Sequence, residues 1–221
     1  MDYDIENAFS YENAFYLTAN PSRIAKFANH LEFYRRAIQV PGAVVECGVF
    51  KGASLSRLVK FRVVFESPSA RSIIAFDTFG PFPEAGLPEE QVKRDEFVEE
   101  AGSHSISREA LSEIFQSLQL FENIELVEGD IVETAPAYVA AHDKLEIALL
   151  NIDVDLYAPT QAALKALYPL VVPGGIIILD DYGVFPGATR AIDEYFAEAS
   201  GAKTQIERLS CRDAIPFIKK P

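Results

Sequence analysis

The chain has 221 residues, of which 49 % are hydrophobic and 24 % are charged, as in ordinary globular domains and unlike disordered or fibrous chains. Its 33 acidic and 20 basic residues give a formal net charge of −13, which disfavours nucleic acid and anionic membrane surfaces as partners. Two cysteines are too few for a disulfide framework or a cysteine zinc site.

The chain begins with a polar, acidic stretch that is unlike a signal peptide. The longest apolar stretch, residues 169–179, falls short of the roughly 20 residues that cross a bilayer, so we expect a cytoplasmic protein without a membrane partner. Residues 1–20 show no clear periodicity. Residues 22–38 place apolar side chains at helical spacing, within an N-terminal helical segment that we assign to residues 1–40.

The helix predicted over residues 22–38 carries four large apolar side chains, more than one buried face needs: Phe27, Leu31, Phe33 and Tyr34. We therefore expect a homo-oligomer, with a dimer as its simplest form, although such a surplus edge could instead close over a cleft. His30 lies on the same helix without metal-ligand spacing to another histidine, and we interpret it as a surface or packing residue.

Five short apolar runs then alternate with helical patterns, which predicts a doubly wound, mostly parallel α/β sheet with helices on both faces. The predicted strands are residues 43–48, 72–76, 123–128, 146–152 and 175–179. The predicted helices are residues 53–66, 107–119, 134–142, 159–171 and 187–199. Residues 203–209 and 213–219 follow without a long helix between them. We expect them to form an antiparallel hairpin at one edge of a seven-stranded sheet, in a single domain over residues 1–221.

Residues 78–105 interrupt this alternation with several prolines and a charged, helix-like stretch, residues 87–101. A long irregular insertion in a compact domain is often a lid over a site. A solvated surface helix is the alternative, and the run of charges favours it.

The first strand leads into a glycine-containing turn, residues 44–54, which is neither a GxGxxG fingerprint nor a phosphate-binding loop. Gly48 would let a ligand approach the backbone closely, and Gly52 would open the N-terminus of the next helix. Asp77 ends the second strand, where an acid can accept hydrogen bonds from both ribose hydroxyls of a nucleoside. Asp130 ends the third strand and either faces the adenine side or caps a helix.

Four aspartates follow the fourth and fifth strands: Asp153, Asp155, Asp180 and Asp181. If these strands are neighbours, their ends lie roughly 5 Å apart, and several carboxylates lie close together at one small opening of the sheet edge. Repulsion and desolvation make such a cluster costly unless a cation neutralises it. Oxygen ligands alone indicate Mg²⁺, Mn²⁺ or Ca²⁺ rather than zinc.

Other chemistries find little support in the sequence. No serine lies in a GxSxG motif, and Cys47 lies in the first strand, where packing favours a small residue, so a hydrolase nucleophile is disfavoured. A nicotinamide-dependent dehydrogenase is disfavoured because the third fingerprint glycine and a Tyr-x-x-x-Lys pair are absent.

The ordered series VVECGVFKGAS, IIAFDTFGPFP, NIELVEGDI, NIDVDLYAPT and GGIIILDDYG resembles the macrocin O-methyltransferase family of class I S-adenosylmethionine-dependent enzymes. The resemblance runs from about residue 40 to residue 200, and the DxDxY and DDY pair is its specific part. It implies a Rossmann-like class I methyltransferase fold. It also implies Mg²⁺-dependent methyl transfer to a sugar hydroxyl, on a nucleotide-linked deoxyhexose or a glycosylated natural product.

The resemblance also implies roles for individual residues. The implied cofactor-binding residues are Glu46, Gly48, Gly52, Ser54, Asp77, Thr78 and Asp130. Among them, Glu46, Gly48 and Ser54 would line the methionine end, while Asp77 would hold the ribose. The implied metal ligands are Asp153, Asp180 and Asp181, and Asp155 is the implied general base. A metal-dependent O-methyltransferase of a catechol or other small aromatic diol is the alternative, because the same aspartates serve that chemistry. A non-catalytic metal-binding protein is disfavoured by the intact set of aspartates.

Overall fold

The computed structural model describes residues 4–199 and 205–221 and has the predicted alternation of strands and helices. The strands are β1 (Ala43–Cys47), β2 (Ile73–Asp77), β3 (Ile124–Glu128), β4 (Ile147–Ile152), β5 (Val171–Leu179), β6 (Glu207–Arg208) and β7 (Pro216–Lys219). The α-helices are α1 (Ala8–Thr18), α2 (Pro21–Ala37), α3 (Ala53–Phe65), α4 (Gln91–Ala101), α5 (Arg108–Ser117), α6 (Ile131–Ala141), α7 (Tyr157–Leu167) and α8 (Pro186–Ala199). Short 3₁₀ turns span Ile5–Asn7, Pro88–Glu90 and Tyr168–Leu170.

The seven strands form one sheet in the order β3-β2-β1-β4-β5-β7-β6. Strands β1 to β5 pair in parallel, whereas β7 runs antiparallel to both β5 and β6. The predicted mostly parallel sheet with a C-terminal antiparallel hairpin is therefore confirmed. The strand order reverses between β1 and β4, and ligands bind at the carboxyl ends of the strands near such a switch point.

Two apolar clusters cover the two faces of the sheet, because side chains alternate along each strand and helices pack on both sides. On strand β4, Leu149 belongs to one cluster and Leu150 to the other. Phe33 of α2 and Leu58 of α3 pack on the first face, while Leu164 of α7 packs on the second. The strands that end at the site are thus held from both sides.

The helix α1 lies in residues 1–20, inside the N-terminal helical segment assigned to residues 1–40, although no periodicity there marks an individual helix. Its sequence carries no periodic apolar face that could pack on the core. Accordingly, none of its residues is buried, and Phe9 and Leu17 are largely exposed. At the other end of the chain, residues 205–209 contribute only the two-residue strand β6, and residues 203 and 204 of the predicted strand lie outside the described residues. Within the described part of the chain, every helix is too short or too polar to cross a membrane.

Helix α2 does not present the surplus apolar face on which the expectation of a dimer rests. Phe33 and Tyr34 are fully buried, and Phe27 and Leu31 pack against the same core cluster. The ring centroids of Phe33 and Phe217 are 5.0 Å apart. The aromatic side chains of α2 are therefore core residues, and the dimer stays a prediction without this support.

Candidate active site

Two adjoining cavities lie at the carboxyl ends of the strands, and both are lined by Gly48, Phe50, Asp153 and Asp155. The first cavity extends toward the ends of β2 and β3, under part of the segment of residues 78–105. Its further lining includes Phe76, Asp77, Thr78, Phe82, Pro83, Glu84, Glu90 and Asp130. The second cavity extends toward α2, α3 and the end of β5. Its further lining includes Arg23, Lys26, Lys51, Ser54, Arg57, Phe97, Asp180, Asp181 and Phe185.

The turn after β1 is pressed against the end of β4. Gly48 has φ +91°, and a Cβ atom built on it would lie 1.7 Å from the carbonyl oxygen of Asp153. The backbone of Asp153 also donates its N–H to the carbonyl of Cys47 at 2.9 Å. Glycine is therefore required at position 48 by the close approach of two strand ends, which is a different reason from the ligand approach expected from the sequence. Gly52, with φ +82°, precedes α3 as its N-cap and provides no side-chain hydrogen bond.

Asp77 holds this turn from the neighbouring strand. Its Oδ2 accepts the N–H groups of Val49 and Phe50 at 2.7 and 2.9 Å, and its Oδ1 accepts the N–H of Phe79 at 2.7 Å. Phe50 and Phe79 both have φ +48°, so the carboxylate supports two residues in the left-handed region. Asp77 thus shapes the cavity wall, and its contact with a ribose stays a prediction.

Thr78 and Asp130 line the same cavity and make local contacts. The Thr78 hydroxyl donates to the carbonyl of Pro81 at 3.2 Å. Asp130 is the N-cap of α6 and accepts the N–H of Val132 at 2.9 Å. The capping role that the sequence left open for Asp130 is therefore present, and its position on the cavity leaves the adenine contact as a prediction.

Glu46 lies fully buried in β1, two residues before Gly48, which lines both cavities. Its Oε1 accepts a hydrogen bond from the Asn151 side chain at 3.3 Å, while its Oε2 has no partner among the described residues. Burial raises the pKa of Glu46 to about 8. Ser54, in the first turn of α3, is also buried and lines the second cavity. An ammonium group of a ligand would supply the hydrogen bond that the buried Glu46 oxygen lacks.

Three carboxylates crowd together beside the turn. Oxygen atoms of Asp153, Asp155 and Asp181 lie within 4.8 Å of one another. The pKa of Asp153 is raised to about 6 and that of Asp155 to about 8. Burial is the larger cause in both, and repulsion from a neighbouring carboxylate is the second. The pKa of Asp181 is raised for the same reasons. The backbone of Asp155 has φ +62°, and its N–H donates to Asp181 Oδ2 at 2.8 Å.

The fourth carboxylate, that of Asp180, is paired with Lys26 of α2. The Lys26 ammonium lies 2.7 Å from Asp180 Oδ2 and 3.1 Å from Asp153 Oδ2, so it bridges the two aspartates. Burial, the largest single influence, would raise the pKa of Asp180, but Lys26 and His30 together outweigh it and hold that pKa below its ordinary range. Lys26 did not emerge from the sequence as a site residue.

His30 follows Lys26 by one helical turn and lies fully buried, with its Nε2 4.0 Å from Asp180 Oδ1. Of the two roles interpreted for His30, surface is wrong and packing agrees with its burial, because α2 turns this face toward the acidic strand ends. Burial lowers the pKa of His30. The i, i+4 spacing of Lys26 and His30 was the available signal, since it puts two groups with affinity for carboxylates on one helical face.

The second cavity combines this acidic floor with a basic rim. Its four basic lining residues are Arg23, Lys26, Lys51 and Arg57. Arg57 is partly buried and makes no hydrogen bond or ion pair with any residue in the described ranges. Burial, and then the nearby charge of Arg23, lower the pKa of Arg57. Arg23 and Arg57, neither of which forms an ion pair within residues 4–199 and 205–221, give the cavity a rim suited to an anionic group.

Comparison with known proteins agrees with this geometry. The chain is 30 % identical over 147 residues to the 8-demethyl-8-(2,3-dimethoxy-alpha-L-rhamnosyl)-tetracenomycin-C 4'-O-methyltransferase of Streptomyces olivaceus, a match that covers 66 % of this chain and 54 % of that protein. It is 31 % identical over 163 residues to the demethyldecarbamoylnovobiocin O-methyltransferase of Streptomyces niveus, covering 72 % of this chain and 60 % of that protein. The matches thus span little more than half the length of these relatives.

Among solved structures, a calicheamicin methyltransferase superimposes with a TM-score of 0.77 at 25 % identity, covering 99 % of this chain and 86 % of the other. The fold is therefore that of the class I methyltransferases. The family model of the macrocin O-methyltransferases, TylF, matches residues 16–213. This match includes both strand-end pairs of aspartates, the glycine turn and the bridging lysine of α2, and the chain accordingly belongs to the macrocin O-methyltransferase family.

Proposed function

We propose that this protein transfers a methyl group from S-adenosylmethionine to a sugar hydroxyl and requires Mg²⁺ for the reaction. The observation that carries the proposal is the pair of cavities that share Asp153 and Asp155 as a common wall. A methyl donor in the first cavity and an acceptor in the second would meet at this wall. The two ligands would then be held in one orientation, which is a large part of the rate of such a displacement.

The residues at the first cavity, together with those at the adjoining edge of the second, fit S-adenosylmethionine in its several parts. The adenosine would lie between the ends of β2 and β3, near Asp77, Thr78 and Asp130. The methionine end would extend toward Glu46 and Ser54, where its ammonium group would satisfy the unpartnered buried oxygen of Glu46. The N-terminus of α3 lacks a side-chain cap, so its free N–H groups would favour the methionine carboxylate.

The strand-end aspartates fit a divalent cation because all their donors are oxygens. Burial and mutual repulsion disfavour the charged forms of Asp153, Asp155 and Asp181, and a cation would offset that cost. We assign Asp153, Asp180 and Asp181 as the ligands of Mg²⁺. The bridging ammonium of Lys26 supports this assignment, since it shows that Asp153 and Asp180 face one common position for positive charge. When bound, Mg²⁺ supplies Lewis-acid activation of the acceptor hydroxyl.

We assign Asp155 as the acceptor of the proton from that hydroxyl; its position in the lining of both cavities supports the assignment. In the proposed step the hydroxyl oxygen forms a bond to the methyl carbon, the bond from carbon to the sulfonium sulfur breaks, and the proton passes to the Asp155 carboxylate. The hydrogen bond from the Asp155 backbone to Asp181 keeps this side chain beside the ligand carboxylates.

The basic rim favours an acceptor with an anionic group, so among sugar acceptors we favour a nucleotide-linked deoxyhexose over an uncharged glycosylated product. Arg23 and Arg57 would bind its phosphates. A catechol or other small aromatic diol is the second candidate, because Phe50, Phe97 and Phe185 line the same cavity and would pack against a flat ring.

Calorimetric titration of S-adenosylhomocysteine into the protein, with Mg²⁺ and with EDTA, tests the donor site. Binding with a micromolar dissociation constant is the expected result, and absence of binding under both conditions would contradict the proposal. Methyl transfer to nucleoside-diphosphate deoxyhexoses, glycosylated natural products and catechols, each with and without EDTA, then identifies the acceptor class and the metal requirement.

A further inference from the structure

Glu90 is a buried carboxylate outside the acidic cluster. It ends the short 3₁₀ turn Pro88–Glu90 in the segment of residues 78–105, immediately before α4, and is only 2 % exposed. Helix α4 itself has no buried residue. A buried acid at the start of a solvated helix is unusual, because burying a carboxylate is unfavourable unless it is well hydrogen bonded.

The hydrogen bonds of Glu90 connect two distant parts of the chain. Its Oε2 accepts the N–H groups of Gly86 and Leu87 at 3.2 and 3.0 Å, within its own segment. Its Oε1 accepts the N–H of Tyr157 at 2.5 Å. Tyr157 is the first residue of α7, and the N-cap residue Leu156 has no side chain that could accept this bond. Glu90 therefore caps α7 from a segment 67 residues away in sequence.

Helix α8 also begins against this carboxylate. A Cβ atom on Gly187 would lie 1.8 Å from Glu90 Oε1 and 2.6 Å from its carboxyl carbon. Gly187 lies in the first turn of α8, where alanine would ordinarily be the better helix former. The glycine thus leaves room for the carboxylate, and the N-termini of α7 and α8 both favour the negative charge there.

Asp155 lies two residues before the capped N–H of Tyr157. Its φ of +62° is uncommon for an aspartate and persists only where neighbouring contacts hold the backbone. Asp181 accepts the N–H of Asp155 on one side, and Glu90 accepts the N–H of Tyr157 on the other. The loop between β4 and α7 is therefore fastened at both ends by a carboxylate.

We propose that Glu90 is a positioning residue that couples the segment of residues 78–105 to Asp155. By capping α7 it fixes the loop that carries Asp155, and by binding Gly86 and Leu87 it holds the segment over the first cavity, which Glu90 itself lines. The catalytic part of this inference rests on the proposed methyl transfer. The structural part, a link between the segment and α7, stands on the hydrogen bonds alone.

Glu90→Gln tests the link and keeps the size of the side chain. The amide has one acceptor oxygen for three N–H donors, so either Tyr157 or the pair Gly86 and Leu87 loses its partner. We expect the amide of Tyr157, or else the amides of Gly86 and Leu87, to exchange with deuterium about tenfold faster, since a lost hydrogen bond to a charged group is worth at least a factor of ten. Misplacement of Asp155 by about 1 Å would lower kcat about 100-fold, with little change in the KM of the acceptor.

Glu89→Gln is the matched control. Glu89 precedes Glu90 in the same turn, but it is partly exposed and pairs with Arg190 of α8 at 2.9 Å. We expect its exchange rates, its kcat and its affinity for S-adenosylhomocysteine to stay within about twofold of wild type, as is usual for an exposed ion pair.

Gly187→Ala approaches the same contact from the other side and leaves every hydrogen-bonding group in place. We expect it to reproduce the faster exchange at Tyr157, because the new methyl group displaces the Glu90 carboxylate. In Glu90→Ala protein the same glycine substitution should have no further effect, since the clash no longer exists. This pair keeps the test valid if Glu90→Gln does not fold.

Wild-type exchange at Tyr157, Gly86 and Leu87 in both Glu90→Gln and Gly187→Ala would overturn the link, and so would additive effects of the two positions. Faster exchange at Tyr157 with wild-type kcat would overturn the positioning of Asp155. Failure of the wild-type protein to bind S-adenosylhomocysteine would instead contradict the proposed function, while the exchange measurement would still decide the link.

Discussion

Lys26 lies between two carboxylates that would otherwise repel each other, and its removal should have a large and metal-dependent effect. Its ammonium is 2.7 Å from Asp180 and 3.1 Å from Asp153, with 26 % of the lysine side chain exposed. At an effective dielectric constant of about 20, unit charges about 3 Å apart attract by about 5 kcal/mol. Desolvation offsets much of this, and breaking a buried pair by removing one partner typically costs about 3–5 kcal/mol.

We therefore expect Lys26→Met to lower the free energy of unfolding of the metal-free protein by about 3 kcal/mol. For a chain of this length, that corresponds to a fall in Tm of about 10 °C, measured by calorimetry in EDTA. Mg²⁺ should restore most of the loss, because the cation replaces the missing positive charge. At a free concentration of about 100 times its Kd, Mg²⁺ contributes about 2.7 kcal/mol.

Lys51→Met is the control, since Lys51 lines the same cavity but donates to the backbone carbonyl of His104. Its loss should cost about 1 kcal/mol, as for a single hydrogen bond, and should leave the response to Mg²⁺ unchanged. A Lys26→Met protein as stable as wild type in EDTA would refute the reasoning. Equal stabilisation of Lys26→Met and wild type by Mg²⁺ would refute the competition between the ammonium and the cation.

Three further substitutions test other parts of the site. Asp155→Asn should lower kcat at least about 100-fold while the Kd for S-adenosylhomocysteine stays constant in calorimetry, and near-normal turnover would exclude Asp155 as the proton acceptor. Gly48→Ala should lower the free energy of unfolding by at least about 2 kcal/mol in urea titration, because its methyl group meets the Asp153 carbonyl; unchanged stability would contradict that contact. Arg57→Ala should raise the KM of a nucleoside-diphosphate deoxyhexose about tenfold and leave that of an uncharged glycoside unaltered, and a common effect on both would exclude a phosphate contact.

The sheet was predictable because buried parallel strands are apolar on both faces wherever they lie. The run Ile147–Ile152 identifies β4 without any knowledge of its neighbours. Helix α1 was not predictable in this way, since it packs no apolar face against the core. The end of α7 was misplaced because the apolar pattern continues past Leu167, although Pro169 cannot donate the N–H of a continuing helix and β5 begins at Val171.

The acidic residues of the site were predictable for a related reason. Side chains that follow parallel strands meet at one edge of the sheet, so Asp153 and Asp181 could be placed together from strand order alone. The spacing of Lys26 and His30 shows only that they share a helical face. Their approach to Asp180 could not be predicted, because it depends on how α2 packs across the sheet from more than 120 residues away in sequence. Glu90 was hidden in a run of charges that resembles a solvated helix, since no local pattern distinguishes a buried acid from its exposed neighbours.

The three backbone hydrogen bonds to Asp77 have a thermodynamic consequence for the turn after β1. A flexible turn would lose conformational entropy on meeting a ligand, and that loss would weaken binding. Here one carboxylate of the fold itself holds the N–H groups of Val49, Phe50 and Phe79, and two of these residues lie in the left-handed region. The ordering of the turn is thus part of the folding free energy, and ligand affinity at this wall is not reduced by it.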